Sequence, residues 1–207
     1  MEPGVGPGTA DAPAVRVVGG VIVRRELFKC LDTAGRVTEV SAPAGSGKTF
    51  LLRSWIGQPG LTGRAAWVPV PGGGYDPQRF WSAVVDGLRG TAAASALVRP
   101  LTPAPDLDGW AIVERLLKDL MELADRVWLV IDDVHELASD EALRQLELLL
   151  LRAPQELRFV LATRHELPLG LHRLRLEGEL TEIRAASLRF SRDEARALIE
   201  AGGVRLS

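Results

Sequence analysis

The chain has 207 residues, with 25 basic and 27 acidic side chains and a formal net charge of −2, enough for one α/β domain with a full core or one domain plus a fragment of another, two complete domains being a squeeze. That balance excludes a broad basic surface tracking a nucleic-acid backbone, and the single cysteine, Cys30, excludes an intramolecular disulfide or a cysteine-based zinc cluster. No apolar run approaches the ~18–20 residues of a membrane span, and residues 1–13 lack the basic start and apolar centre of a secretory signal, so the expectation is a cytoplasmic protein with no membrane partner.

Residues 1–14 are rich in Pro and Gly and too poor in apolar side chains to offset the entropy of ordering, which predicts a disordered tail. A short helix follows, from Arg24 through Leu31, and Cys30 within it reads as a small buried hydrophobe. Residues 36–41 form the first predicted strand. Glu39 within it is a departure, because a strand covered on both faces should be apolar. Residues 48–56 form a helix whose Leu51, Leu52, Trp55 and Ile56 share one face, ended by Gly57, Pro59 and Gly60.

A second strand is predicted at 65–70. Asp76 and Pro77 then supply a cap and a first-turn proline for a helix to about Leu88, and residues 90–105 read as a loop with one helical turn. An amphipathic helix at 110–124 leads to a third strand at 127–131, which stops at Asp132-Asp133. Ser139 caps a helix to about Arg152, strands follow at 157–163 and 180–183, and Ser191-Arg192-Asp193-Glu194 is a capping box for a last helix. Strands alternating with helices of this length predict a parallel sheet with helices on both faces.

The chemistry begins at Ser41-Ala42-Pro43-Ala44-Gly45-Ser46-Gly47-Lys48-Thr49, between the first strand and its helix. Glycines let successive backbone N–H groups turn inward around a di- or triphosphate, and the helix directs its positive end at the same anion. Residues 44–50 (Ala44, Gly45, Ser46, Gly47, Lys48, Thr49 and Phe50) are therefore the candidate nucleotide-binding set. Lys48, in a chain where lysine is scarce beside arginine, would reach the β and γ phosphates, and the Thr49 hydroxyl would hold Mg²⁺. Ala42 stands where the strict pattern has Gly, and the bland alternative is a Gly-rich turn that happens to precede a helix.

Asp132 and Asp133 lie at the carboxyl end of a strand, where an open α/β sheet presents its ligand crevice. Asp132 would orient the Mg²⁺ and Asp133 would position or deprotonate a water; adjacent acids are also ordinary turn residues. Arg164, ending the fourth strand, would contact a γ-phosphate, the alternative being a surface arginine. His135, His165 and His172 lack metal-ligand spacing and read as loop or surface residues. The five tryptophans read as core, with Trp67 and Trp81 open to a place near the nucleotide.

Taken together, the run from Ala42 to Trp55, Trp67-Val68-Pro69-Val70 with Asp76 to Trp81, Leu129 to His135, and Leu161-Ala162-Thr163-Arg164 resemble the nucleotide-binding domain of the large ATP-dependent LuxR-type transcription regulators. That family includes the bacterial maltose regulon activator. Its members are signal-transduction ATPases with numerous domains (STAND), relatives of the AAA+ ATPases. The stretches from Leu167 to Arg175, Gly178 to Ile183 and Leu188 to Glu194 are similar to it as well.

The resemblance implies a P-loop NTPase fold, three-layer α/β/α, with a five-stranded parallel sheet in the order 2-3-4-1-5. It also implies that Arg24 or Arg25 lies near the adenine, and that Ala is familiar at position 42 while Glu at position 39 is not. The domain would span residues 15–187, with residues 188–207 opening a helical lid. The implied function is an ATP/ADP switch with Mg²⁺, slow hydrolysis and self-association in the ATP state, in a transcription regulator whose DNA-binding segment is not in this chain. A turnover ATPase, a non-enzymatic partner-binding module and, last, a P-loop kinase are the alternatives.

Overall fold

The computed structural model describes residues 16–18, 21–73, 76–101 and 108–201; the predicted tail at 1–14 lies outside them. Two compact units divide the chain, residues 26–189 and a smaller one built from residues 1–25 and 190–207. In the smaller unit, strands β1 (Arg16–Val18) and β2 (Val21–Val23) pair antiparallel. No hairpin was expected there, although Gly19-Gly20 between two valine-rich runs carries the signal for one.

In the larger unit, helix α1 (Arg25–Thr33, its first residue belonging to the smaller unit) leads to β3 (Val37–Ser41), α2 (Lys48–Ile56), β4 (Ala65–Pro69) and α3 (Pro77–Arg89). Asp76 caps α3 as expected, accepting from the Gln78 N–H. Helix α4 (Gly109–Asp119), a 3-10 turn and β5 (Val127–Asp132) follow. Then come α5 (Asp140–Arg152), capped by Ser139, β6 (Leu157–Thr163), the short α6 (His172–Leu176), β7 (Leu180–Arg184) and α7 (Ala185–Leu188).

The five strands of the larger unit are all parallel, in the order β4-β5-β6-β3-β7, which is the anticipated 2-3-4-1-5. Alternation along each strand sends Val37, Leu129, Ile131, Phe159 and Leu161 to the face covered by α3, α4 and α5. The intervening residues point the other way, where Trp55 of α2 meets Trp128 edge-on with ring centroids 6.1 Å apart. Among the described residues no helix is long and apolar enough to cross a membrane.

In the smaller unit, α8 (Arg192–Ala201) lies against β1 and β2. Its predicted capping box is closed: the Glu194 carboxylate accepts from the Ser191 N–H at 2.8 Å, and the Ser191 hydroxyl accepts from the Glu194 N–H at 3.1 Å. Cys30 is a correction, being half-buried rather than buried.

Glu39 is where the apolar-strand rule gives way. Its neighbours across the sheet are Leu161 on β6 and Glu182 on the edge strand β7. Beside that edge the sheet face opens on a pocket walled by the loop from Glu166 to Leu171 rather than by a helix. Burial holds the Glu39 carboxyl above the ordinary glutamate range; Arg184 opposes this, and Glu182 and Glu166 add to it.

A carboxyl raised in the folded state contributes stability below its unfolded pKa and loses it as pH rises through the folded value. Glu39→Gln is therefore expected to match the parent protein in urea unfolding below about pH 4 and to exceed it progressively above. An unchanged difference between pH 4 and 7 would count against this.

Candidate nucleotide site

The loop between β3 and α2 has two residues that only glycine adopts easily, Gly45 at φ 75° and Gly47 at φ 82°. Gly47 also stands at the N-cap of α2 and supplies no side-chain acceptor, so the first N–H groups of the helix are left for an external partner. The Ser46 hydroxyl donates to the Pro43 carbonyl at 2.7 Å, tying the loop to itself. Pro43, Ala44 and Gly45 face solvent, and Phe50, one residue past Thr49, leaves 55 % of its surface exposed.

Lys48 is buried, and its ammonium donates to the carbonyls of Ala42 at 2.6 Å and Pro43 at 3.1 Å. Burial pulls its pKa below the ordinary lysine range and Arg164 adds to this, while Asp133 and Asp132 oppose it. The Thr49 hydroxyl donates to Asp132 Oδ2 at 2.8 Å. Strand β6 lies between β3 and β5, so this bond spans its end, and the Ala42 N–H closes the seam on the Thr163 carbonyl at 3.2 Å. Burial raises the Asp132 carboxyl above the ordinary range, and its Oδ1 is buried with no hydrogen-bond partner in the chain.

Asp133 is the one described non-glycine residue at positive φ, 57°, a conformation Asp tolerates better than most. It sits beside Arg164, whose Nε is 3.8 Å from Asp133 Oδ1 and whose Nη1 is 3.8 Å from Glu136 Oε1, with 46 % of the arginine side chain exposed.

His135 and Glu136 were missed as neighbours of this cluster. The His135 side chain is 7 % exposed, neither ring nitrogen makes a hydrogen bond, and the ring meets His165 edge-on. Burial keeps its pKa low. Of its loop-or-surface reading the loop holds, since the residue lies in the connection after β5, and the surface does not. Glu136 stands three positions after Asp133 and one 3-10 turn away (Val134–Glu136), a spacing that was legible.

Trp55, Trp81 and Trp128 are buried, and Trp81 donates from its indole to Gln145 at 2.7 Å inside the core. Trp67 is half-buried under the Arg53 guanidinium. The larger unit thus brings together residues 44–50, Asp132, Asp133 and Arg164. Arg24 lies in the smaller unit, paired with Glu194 at 3.2 Å and stacked over Phe190.

Among known proteins, the AAA domain family matches residues 32–169. The chain is 31 % identical over 206 residues to the serine/threonine-protein kinase PknK of Mycobacterium tuberculosis, covering 97 % of this chain and 18 % of that protein. It is 29 % identical over 191 residues to the HTH-type transcriptional regulator MalT of Serratia proteamaculans, covering 90 % and 21 %. The chain thus spans about a fifth of the length of these curated relatives.

Of solved structures, a STAND protein with a tetratricopeptide repeat sensor from Pyrococcus horikoshii is similar at TM-score 0.60 and 17 % identity, over 94 % of this chain and 27 % of that one. Cdc6p from Pyrobaculum aerophilum is similar at 0.57 and 16 %, over 86 % and 48 %. At these identities the likeness speaks to the fold.

Proposed function

We propose that this chain, which belongs to the AAA domain family, binds ATP and ADP at residues 44–50 and acts as the nucleotide switch of a STAND-type signalling protein, hydrolysing ATP slowly. The observation that carries the reading is Arg164. It directly follows β6, the strand between the two motif strands, half exposed, and its ion pairs among the described residues are the two contacts at 3.8 Å to Asp133 and Glu136. A permanently charged planar group on so loose a tether can exchange those carboxylates for a γ-phosphate. ADP offers it no such partner, so the two nucleotides would favour different arrangements, which is what a population shift requires.

The donor set fits a magnesium ion. Asp132 Oδ1 is a buried oxygen without a partner, Thr49 adds a hydroxyl, and both are hard ligands. No group of three or more His, Cys, Asp or Glu among the described residues could cage a metal by itself, as suits an ion held by one or two protein oxygens together with phosphate. Bound there, Mg²⁺ would neutralise charge on the phosphates. That one named relative is a transcription regulator and another a protein kinase supports a regulatory module over a metabolic enzyme. Self-association in the ATP state belongs to the same reading.

Calorimetry on Arg164→Ala tests it. The affinity for Mg·ATP should fall by about tenfold or more, since hydrogen bonds to charged groups are worth about 1.5–3 kcal/mol, while ADP affinity stays within about twofold. Equal losses for both nucleotides would remove Arg164 as the reporter. A turnover ATPase is the second reading, favoured by the left-handed backbone that sets the Asp133 carboxylate beside Arg164. Rapid phosphate release that disappears in Asp133→Asn would select it; negligible release with ADP retained selects the switch.

A further inference from the structure

The pocket beside the edge of the sheet holds about 270 Å³ and takes no part in the nucleotide site. Glu39 lines it from the middle of β3, with a side chain only 7 % exposed and an Oε1 that accepts no hydrogen bond. Leu167, Leu169 and Leu171 form an apolar wall, and Arg175 and Arg184 complete the lining together with Glu166 and His172.

The charges here do not close. Three carboxylates, those of Glu39, Glu166 and Glu182, share two guanidinium groups. Glu182 takes a hydrogen bond from both Arg175 and Arg184, and Arg184 also reaches Glu166 at 3.5 Å. What remains for Glu39 is the Arg184 Nη1 at 3.6 Å, an ion-pair distance too long for a hydrogen bond. In parallel register Glu39 stands directly beside Glu182, and like charges in that position repel. One further cation in the pocket would satisfy the buried oxygen and balance the set.

We propose that this pocket binds a small primary amine, its ammonium on the Glu39 carboxylate and its alkyl stem along Leu167, Leu169 and Leu171. An ammonium is a compact charge with three donors and fits where a third planar fork would crowd. The leucine wall favours a hydrocarbon stem, and the volume lies below the ~300–1,000 Å³ typical of sites for drug-sized ligands. This site is independent of the nucleotide reading.

The test is a titration of the full chain with n-pentylamine, followed by calorimetry and by amide NMR shifts at Glu39, Leu169 and Arg184. Saturable binding below about 10 mM is expected, with none for 1-pentanol, which has the same stem without the charge. Glu39→Gln should weaken it by about tenfold or more, and Lys48→Ala should leave it unchanged.

If Glu39→Gln does not fold, Glu166→Gln at the rim serves instead, because it frees Arg184 to close on Glu39; a loss of about threefold is expected. Equal binding of pentanol, no saturation, or indifference to these substitutions would overturn the site. Sedimentation velocity should show an unchanged mass during the titration. An amine that dissociates a dimer would instead assign the pocket to a lysine of a second copy and overturn the small-ligand proposal.

Discussion

Lys48→Ala should cost binding of both ATP and ADP about 2–5 kcal/mol, roughly 30-fold to several thousandfold in affinity, measured by calorimetry. The ammonium is buried and desolvated, and its hydrogen bonds go to the Ala42 and Pro43 carbonyls of the loop itself, so it stands where the phosphates of a bound nucleotide would need a counter-charge. Truncation removes that charge while Gly45, Gly47 and the end of α2 keep their backbone N–H groups, which is why some residual affinity remains. The unliganded protein should melt close to the parent, because a desolvated charge adds little net stability. What shrinks is the gain on adding nucleotide, about 2.7 kcal/mol for the parent at a hundred times its dissociation constant. Unchanged affinity would remove the loop as the binding site.

The second large effect concerns stability. Trp55→Ala should lower the unfolding free energy by about 3–5 kcal/mol in urea titration. The indole is fully buried, packs edge-on against Trp128 of β5, and donates from Nε1 to Asp32 of α1 at 2.8 Å. Removing it opens a cavity between α2 and the sheet and leaves the Asp32 carboxylate without that donor. Trp55→Phe keeps most of the apolar area and should lose about 1.5–3 kcal/mol, the worth of a hydrogen bond to a charged group. Lys48 and Thr49 begin the same helix, so nucleotide affinity should fall in Trp55→Ala even where the protein remains folded. A loss below about 1 kcal/mol would mean that Leu51 and Leu52 alone anchor α2.

What the sequence disclosed was whatever is written locally. Asp76, Ser139 and the Ser191 capping box each act within a few residues of themselves and cap their helices as their chemistry predicted, and Gly45 and Gly47 take the positive φ that suits glycine. The apolar run ending at Asp132 was equally plain, and the sheet order followed once the family resemblance was added to the spacing of the motifs.

Contacts between distant segments were not legible. Glu39 makes sense only beside Glu182, Arg184 and the Glu166 loop, more than 120 residues along the chain. His135 reads as a loop or surface residue because nothing in the neighbouring sequence tells that His165, from beyond the end of β6, meets its ring. The short helices α6 and α7 fell below the length at which periodicity can be counted.

Strand β3 leads into the glycine-rich loop of the candidate site, yet both of its ladder partners come late: Val37 pairs with Phe159 and with Leu180. During synthesis at about 5–20 residues per second, the loop leaves the ribosome several seconds before either neighbour exists. Strands β4 and β5 can pair in the meantime, leaving a slot that only β6 can bridge to β3. The site is therefore among the first parts of this domain to be made and among the last to acquire its shape, and a nascent chain halted before Leu157 holds the loop without the frame that aims it.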